Sequence, residues 1–266
     1  MGPGSGKAFE GIVSVGEREK KGTGDQGKKG TGEHGSRAIG GCVCPGRYPV
    51  SMPTRHPQYP NLIVFDHPLI QHKLSWIRDE TTGHRPFRAL LAQIAGLMVF
   101  EVTRSFPISP VTIRTPLEET EAQRLSATIT VVPVLRSGLG MVEGILSIMP
   151  EARVGHLGIA RDEETLKPVA YLKRLPKGLD AGPVVLVDPM LATGGSAAAA
   201  IQTLRDEGAR DIRMICLVAA PEGVKRMLKD HPDVMVYAAA LDRGLTEKGY
   251  IEPGLGDAGD RMYGTA

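Results

Sequence analysis

The sequence predicts an α/β fold in which a parallel sheet is covered by helices on both faces. Short runs of β-branched and other apolar residues recur from residue 129 onward, helical patterns lie between several of them, and glycine or proline marks the breaks. Parallel strands need long crossover connections, usually a helix, so this alternation indicates right-handed βαβ units. Ligands of such sheets bind at the carboxyl ends of the strands, where functional residues are therefore expected.

Two helices precede the first of these strands. Pro68 suits a first helical turn with an apolar stripe after it, and Pro86 opens a second helix in the same way. The predicted strands are Ile129–Val134, Val154–Ile159, Val184–Val187, Ile212–Val218 and Val234–Tyr237. The helices predicted between them are Leu139–Ile148, Ser196–Glu207 and Val224–Lys229.

Composition changes sharply near residue 60, so we predict an extension at residues 1–58 and a catalytic domain at residues 59–266. The extension is rich in glycine and lysine and contains a tandem octamer, KKGTGDQG from Lys20 and then KKGTGEHG from Lys28. Such a segment buries too little apolar surface to offset the entropy of ordering it, so disorder is expected. It is a basic tether for a polyanion, a solvated tail, or sequence upstream of a start at Met52. The pair Cys42 and Cys44 is too small a set for a metal site.

Charge and hydropathy exclude several classes of partner. The formal net charge of +2 is too small to predict binding to nucleic acid or to an acidic membrane. No run approaches the roughly 18 apolar residues that span a bilayer, and no signal-peptide pattern begins the chain. The three cysteines do not form a disulfide framework, and Cys216 lies in an apolar run typical of a core strand. We therefore expect a cytoplasmic protein.

The most informative segment is VVLVDPMLATGGSAAAA, from Val184 to Ala200. Four apolar residues lead to Asp188, a loop follows, and the residues from Thr193 to Ser196 enter an alanine-rich helix. This order is typical of a phosphate-binding loop, because glycines let the backbone approach an anion and the helix N-terminus adds positive potential. The hydroxyls of Thr193 and Ser196 add donors, and Asp188 is placed to accept hydrogen bonds from ribose hydroxyls.

Two common nucleotide-binding loops do not fit this segment. A P-loop would need GxxxxGK before the hydroxyl residue, and a dinucleotide-binding fold would need GxGxxG at this point. The alternative is a strand-to-helix turn whose glycines serve backbone geometry alone.

The segment VLVDPMLATGGS resembles the loop that binds 5-phosphoribosyl diphosphate (PRPP) in uracil phosphoribosyltransferases. Further segments are similar to that family, in its order, and together cover essentially all of residues 61 to 266. They are DHPLIQHKLSWIRDETT from Asp66, VVPVLRSGLGM from Val131, RDEETLKPVAYL from Arg161, VAAPEGV from Val218, HPDVMVYAAALDRGL from His231 and GYIEPGLGDAGDRMYGT from Gly249. The resemblance implies the phosphoribosyltransferase fold with a C-terminal hood over the uracil site. It also implies the formation of UMP and diphosphate from PRPP and uracil, in pyrimidine salvage.

The resemblance assigns roles in PRPP binding to particular residues. Arg136 and Arg161, each next to a predicted strand, would contact the diphosphate; read alone, either could be a solvated surface charge. The 5-phosphate and the ribose hydroxyls would be bound by Asp188, Pro189, Met190, Leu191, Ala192, Thr193, Gly194, Gly195 and Ser196.

The uracil pocket of the family corresponds to Ile251, Gly256, Asp257 and Ala258. Backbone recognition makes physical sense, because the imide edge of uracil alternates C=O, N–H and C=O, and a fixed loop can present the complementary groups. Cytosine would leave a buried group unpaired, at a cost of about 1–3 kcal/mol. Asp257 is also assigned to the ribose side of the site, and the alternative is a loop carboxylate that makes a local turn bond.

Cofactor and partners follow from the same resemblance. Mg²⁺ is expected, bound mainly through PRPP, because this ion usually keeps several waters and is bound through substrate phosphates. GTP is a candidate effector, and a homo-oligomer is expected, with the helices at Pro68 and Pro86 suited to the interface. Two rivals stay open: a pyrimidine phosphoribosyltransferase that also regulates RNA, and a PRPP- or pyrimidine-binding protein that keeps the fold without turnover.

Three positions bear on the match to the family. Asp188 is followed by Pro189 rather than by a second acid, which fits the uracil branch and argues against the purine branches. Ser137 stands where alanine is common, and Ala160 stands where tyrosine is common. Both changes leave the charged groups in place, so they are expected to alter affinity or effector response rather than abolish catalysis.

Overall fold

The structure is a computed structural model that describes residues 54–161 and 168–265. Most of the predicted extension, including Cys42 and Cys44, therefore lies outside the described residues, as does the segment that follows Arg161. Arg55 and His56 form a short strand that pairs with the next one. The folded part of the chain thus begins before the predicted boundary at residue 59.

The described residues contain strands and α-helices in alternation after an initial helical pair. The strands are β1 (Arg55–His56), β2 (Tyr59–Val64), β3 (Ile108–Arg114), β4 (Glu119–Leu125), β5 (Thr130–Leu135), β6 (Arg153–Val154), β7 (His156–Arg161), β8 (Pro168–Arg174), β9 (Val184–Val187), β10 (Met190–Leu191), β11 (Ile212–Ala219), β12 (Met235–Leu241), β13 (Gly244–Leu245) and β14 (Ile251–Glu252). The α-helices are α1 (Pro68–Arg78), α2 (His84–Val102), α3 (Leu139–Leu146), α4 (Gly195–Asp206), α5 (Pro221–Asp230) and α6 (Ala258–Tyr263).

One large sheet organises these elements in the order β1-β2-β12-β11-β9-β5-β7-β8, with β10 beside β11 and β6 beside β5. The strands from β2 to β7 in this order all run parallel, which confirms the predicted α/β architecture. The two edges differ from the prediction, because β1 and β8 pair antiparallel with their neighbours. Antiparallel edge strands are common on otherwise parallel sheets.

The two faces of the sheet carry separate hydrophobic cores, as the prediction of helices on both faces requires. Val185 and Val187 of β9 pack in the core that holds the buried residues of α1, α2, α3 and α6. Val184 and Leu186 point the other way, into the core with α4 and α5. Because β9 is buried on both faces, its sequence is a continuous apolar run rather than an alternating one.

Several element boundaries differ from the sequence prediction for local reasons. Helix α5 begins at Pro221 rather than Val224, since proline is well suited to the first helical position. Val154 belongs to the two-residue strand β6, and β7 begins only at His156. Pro110 predicts a break, yet β3 pairs with β4 as a separate hairpin. Nearly all hairpin side chains are at least partly exposed, so no apolar alternation indicates its strands.

Helix α2 forms the centre of one core. Together with the 3-10 turn after it, the helix spans His84–Ser105 and, among the described residues, is the one helix long and apolar enough by length and composition to cross a membrane. Phe87, Leu91, Ile94 and Met98 are nevertheless fully buried against the rest of the domain. Its apolar character is explained by this central position in the core.

Helices α2 and α3 cross with their backbones in contact. A Cβ atom on Gly144 would collide with the backbone of Ala92, and one on Gly96 would lie 2.9 Å from the carbonyl oxygen of Gly144. Glycine at these two positions therefore sets the distance between the helices.

Gly144→Ala is expected to lower the free energy of unfolding by about 2 kcal/mol, because the two helices must separate to admit the methyl group. Urea denaturation followed by circular dichroism measures the change. Gly83→Ala is the control, since a Cβ there meets nothing within 4 Å and its φ is an ordinary −66°. Its effect should stay within about 1 kcal/mol. Equal stability of Gly144→Ala and the parent chain would contradict the described crossing.

Candidate active site

A cleft opens at the carboxyl ends of β5, β7 and β9, which lie side by side in the sheet. Its cavity has a volume of about 250 Å³ and is lined by the β5–α3 loop, by Ile159 of β7, and by most residues from Asp188 to Ala197. The carboxyl ends of parallel strands lie at the same end of the sheet, which is where the sequence predicts functional residues. The structure therefore gathers all of the predicted PRPP-loop residues except Pro189 around a single cavity.

Asp188 follows directly after β9, at the floor of this cleft. Its backbone N–H donates to the carbonyl oxygen of Ile215 at 3.1 Å. Its Oδ1 accepts hydrogen bonds from the Ser137 hydroxyl at 3.1 Å and from the Met190 N–H at 3.5 Å. Desolvation raises the pKa of the Asp188 carboxyl to about 7, the bonds from Met190 and Ser137 oppose the rise, and the charge of Asp257 adds to it. Ser137 thus contacts Asp188 directly.

The loop after Asp188 is fixed by its neighbours and leads straight into α4. Met190 and Leu191 pair with β11 as β10. Gly194 has a φ of +76°, which favours glycine, and a Cβ there would lie 3.0 Å from the Gly223 carbonyl oxygen. The Gly195 N–H donates to the Thr193 hydroxyl oxygen at 3.4 Å.

The first turn of α4 is well placed to bind an anion. The N-cap residue of this helix, Gly194, makes no side-chain cap bond, and the bond from the Gly195 N–H to the Thr193 hydroxyl is long, at 3.4 Å. Gly195, Ser196 and Ala197 line the cavity, and the first N–H groups of a helix have no partner within it. The backbone donors and the positive end of α4 are therefore available to a phosphate group in the cleft.

Arg136 follows β5 and points toward the C-terminal helix α6 rather than toward Asp188. Its Nη2 atom lies 3.6 Å from Oδ1 of Asp260, and its guanidinium carbon lies 6.0 Å from the ring centroid of Tyr263. The side chain is 59% exposed. Arg136 is thus a largely free cation where the β5–α3 loop meets the C-terminal segment.

The backbone of Arg161 ends β7 and pairs with Pro168 of β8. Its side chain lies outside what the structure describes. Because β7 runs parallel to its neighbour β5, the backbone of Arg161 lies at the same carboxyl-terminal end of the sheet as the loop that carries Arg136.

The predicted uracil-binding positions lie together between β14 and the start of α6. Ile251 is buried in β14, where it pairs with Leu245. Gly256 is exposed with a φ of +73°, and Ala258 is the buried first residue of α6. These positions are therefore held by a short hairpin on one side and a helix on the other.

Asp257 caps α6, because its Oδ1 accepts a hydrogen bond from the Asp260 N–H at 2.9 Å. The local bond that the sequence analysis named as the alternative is therefore present. Asp257 also contributes to the raised pKa of Asp188, so its charge is felt at the floor of the cleft. Asp257 therefore both caps α6 and lies near enough to the cleft to affect Asp188.

Three charged residues that sequence reasoning missed fix the C-terminal segment. Arg78 and Asp242 form a bidentate pair that also bonds Gly254. Arg261 donates from Nη1 to the carbonyl oxygens of Ile77 and Leu255, at 2.8 and 2.9 Å. Each of the three lies in a segment that resembles the family, but local patterns give no sign of partners so distant in sequence.

No group of three or more His, Cys, Asp or Glu side chains able to hold a metal is found within residues 54–161 and 168–265. Cys216 is a free, buried thiol in β11, at the core position that the sequence predicted. Burial raises the pKa of this thiol, which suits a packing role.

Comparison with known proteins connects this cleft to one family. The family profile described as uracil phosphoribosyltransferase matches residues 64–265. A uracil phosphoribosyltransferase of Bacillus velezensis is 56% identical over 203 residues, covering 76% of this chain and 97% of the relative. One from a Thermoanaerobacter species is 52% identical over 208 residues, covering 78% of this chain and 99% of the relative. A solved structure of an Aquifex aeolicus protein superposes with a TM-score of 0.74 at 37% identity, covering 77% of this chain and 99% of that one.

The stability of an Asp188→Asn variant as a function of pH tests the environment of Asp188. Because its pKa is raised from 3.8 to about 7, the folded state holds a proton between these values that the unfolded state has released. Wild-type protein should therefore lose stability relative to Asp188→Asn as the pH rises from about 4 to about 7, by on the order of 3 kcal/mol. Urea unfolding of both ligand-free proteins at several pH values measures this difference.

Asp180→Asn provides the control, because Asp180 is an exposed carboxylate in a short 3-10 helix. Its stability should follow wild type within about 0.5 kcal/mol at each pH. A difference between wild type and Asp188→Asn that is flat across the same range would contradict the described burial of Asp188.

Proposed function

The chain belongs to the uracil phosphoribosyltransferase family, and from this premise we propose that it transfers the 5-phosphoribosyl group of PRPP to N1 of uracil. The products are UMP and diphosphate, so the reaction recovers a free base, as in pyrimidine salvage. The observation that carries this proposal is the cleft at the carboxyl ends of β5, β7 and β9, where Asp188 and the start of α4 lie together. The charge of Asp257, next to Gly256, also acts on Asp188.

PRPP occupies the cleft with its 5-phosphate at the start of α4. The N–H groups of Gly195 and Ser196 and the hydroxyl of Thr193 bind the phosphate oxygens, supported by the helix dipole. Asp188 accepts hydrogen bonds from the ribose hydroxyls. Its pKa of about 7 allows either protonation state near neutral pH, and donation by two hydroxyls favours the ionised one. This arrangement fixes the sugar relative to its nucleophile.

Arg136 and Arg161 stabilise the diphosphate as it leaves. The exposed guanidinium of Arg136 is only loosely paired with Asp260, at 3.6 Å, so it can reorient toward an incoming polyanion. Charge-assisted hydrogen bonds from arginine are suited to phosphate oxygens. These contacts strengthen as negative charge develops on the leaving group, which lowers the barrier.

Mg²⁺ is proposed as the cofactor, bound mainly through oxygens of PRPP. The cleft fits such an ion, because magnesium keeps several waters and needs only one or two protein carboxylates. Asp188 lines the cleft, and Asp257 lies near enough to affect its pKa. Both carboxylates act through hydrogen bonds to water or ribose. The chemistry that bound Mg²⁺ supplies is neutralisation of the diphosphate charge.

Uracil is recognised by the backbone between Ile251 and Ala258. A loop held by buried residues at both ends can present N–H and C=O groups to the imide edge with little loss of entropy. Cytosine carries an amino donor where uracil carries an acceptor, which leaves a buried polar group without a partner. The backbone of this loop therefore selects uracil.

Further properties stay predictions from the family. A homo-oligomer is supported by the large exposed apolar residues Leu69, Trp76 and Phe100 on α1 and α2. Leu69 also lines a groove of about 370 Å³ between α1, α2 and α3. Activation by GTP and a cytoplasmic location are expectations without a further structural argument.

The proposed function is tested by release of pyrophosphate from PRPP in the presence of Mg²⁺. Uracil should support turnover, while cytosine and hypoxanthine should not, because their edges differ from the imide edge that the backbone loop matches. Orotate keeps that edge but carries a carboxylate beside N1, so it tests whether the site admits a charged group next to the reacting nitrogen. Formation of UMP is confirmed by chromatography. Turnover with another base but not with uracil would contradict the assignment, and binding of PRPP and uracil without pyrophosphate release would indicate a binding protein.

Arg136→Ala is expected to lower kcat by about 100-fold, since a cation that stabilises transition-state charge is lost. The assay is pyrophosphate release at saturating PRPP and uracil. Arg210→Ala removes an exposed arginine from the opposite, amino-terminal side of the sheet and should retain full activity. Full turnover by Arg136→Ala would contradict the role given to this residue.

A further inference from the structure

Arg78 and Asp242 form the most completely bonded ion pair of the described residues. Nη1 of Arg78 donates to Oδ2 of Asp242 at 2.9 Å, and Nη2 donates to Oδ1 at 2.6 Å. The pair joins the last residue of α1 to the residue after β12, 164 positions apart in sequence. Two parallel bonds between guanidinium and carboxylate fix both distance and orientation.

The same pair also forms hydrogen bonds with the backbone of Gly254. Nη1 of Arg78 also donates to the carbonyl oxygen of Gly254 at 2.7 Å. Oδ2 of Asp242 accepts a hydrogen bond from the Gly254 N–H at 2.9 Å. Both backbone polar groups of Gly254 are therefore bonded to the ion pair, two residues before Gly256.

The pair is buried, so its bonds matter more than those of a surface ion pair. The Asp242 side chain is only 5% exposed and that of Arg78 is 21% exposed. Loss of one partner would leave the other charge desolvated without compensation. In the pair Arg205–Asp233 a single nitrogen, Nη2 of Arg205, bonds both carboxylate oxygens, and the side chains are 32% and 63% exposed.

The segment that the pair holds contains two glycines between its buried ends. Gly254 and Gly256 both have positive φ, and glycine is the residue with the largest backbone freedom. A loop that recognises a base through backbone groups must nevertheless hold them within a fraction of an ångström. External bonds at Gly254 supply this constraint.

We propose that Arg78 and Asp242 are positioning residues that set the base-recognition loop. This inference rests on the proposed function, because it takes residues 251–258 as the uracil-binding loop. The pair acts through the backbone of Gly254. It contacts neither the reacting atoms nor the phosphate cradle, by which we mean Thr193, Gly194, Gly195 and Ser196 at the start of α4.

A role in overall folding alone is the competing explanation, and the structure separates the two. Helix α6 has its own anchor in Arg261, which bonds the carbonyl oxygens of Ile77, Leu255 and Asp79 and stacks on Phe87. Loss of the Arg78 bonds should therefore loosen the loop before α6 while α6 stays docked. Uracil binding should suffer, and PRPP binding should not.

The test uses full-chain Arg78→Lys and Asp242→Asn, each of which keeps some hydrogen bonding at the site. For both variants the KM for uracil should rise at least about tenfold, the loss expected for a charge-assisted hydrogen bond. The KM for PRPP should stay within about twofold of wild type, because the cradle lies on other elements.

Two comparisons make the result specific. Arg205→Lys, in the exposed pair, should leave both KM values unchanged. The double variant Arg78→Lys/Asp242→Asn should raise the KM for uracil no more than the stronger single variant, since the two side chains act as one unit. If a variant is partly unfolded, the fraction that binds PRPP gives the concentration of active enzyme and so corrects kcat, while the two KM values do not depend on that concentration.

An unchanged KM for uracil in both variants, or equal increases for uracil and PRPP, would overturn the inference. Lower kcat with both KM values intact would indicate a purely structural role and overturn it as well. These outcomes presuppose wild-type turnover with uracil. If wild type shows none, the proposed function itself fails, so the two failures are distinguishable.

Discussion

The position of Asp188 at the end of β9 constrains every other group in the cleft. Strand β9 is buried on both faces between β5 and β11, so its carboxyl end cannot shift without disrupting both hydrophobic cores. The Asp188 N–H is tied to Ile215 of β11, and its carboxyl is bonded by Ser137 of the β5–α3 loop. One side chain thus joins the phosphate cradle to the loop that carries Arg136.

Charge in the cleft is arranged around this carboxyl. Desolvation favours a proton on Asp188, and the charge of Asp257 adds to this effect, while the bonds from Met190 and Ser137 oppose it. Arg136 lies near Asp260 at the start of the same C-terminal segment and stays largely solvated. If PRPP binds with Mg²⁺ as proposed, its ribose hydroxyls and the positive charge of the ion would both stabilise the ionised form of the Asp188 carboxyl.

The sequence predicts those parts of the site whose causes are local. The strand, turn and helix around Val184–Ala200 follow from a continuous apolar run, glycines and an alanine-rich stretch, and the structure places them as expected. The local bond of Asp257 is likewise one of the two alternatives that the sequence predicts. The sequence does not predict the contact of Arg136 with Asp260 or the pair of Arg78 with Asp242. These depend on chain crossings that place distant residues side by side, and no periodicity encodes them. The hairpin β3–β4 is missed because its strands are exposed and lack an apolar face.

A crystal structure of the chain with PRPP, Mg²⁺ and an unreactive uracil analogue would show directly whether the cleft binds phosphate, ribose and base as proposed. We expect the 5-phosphate within hydrogen-bond distance of the N–H groups of Gly195 and Ser196, and the ribose hydroxyls on Asp188. The base edge should meet backbone groups between Ile251 and Ala258. A phosphate bound away from the start of α4, or a base held by side chains elsewhere, would contradict this proposal.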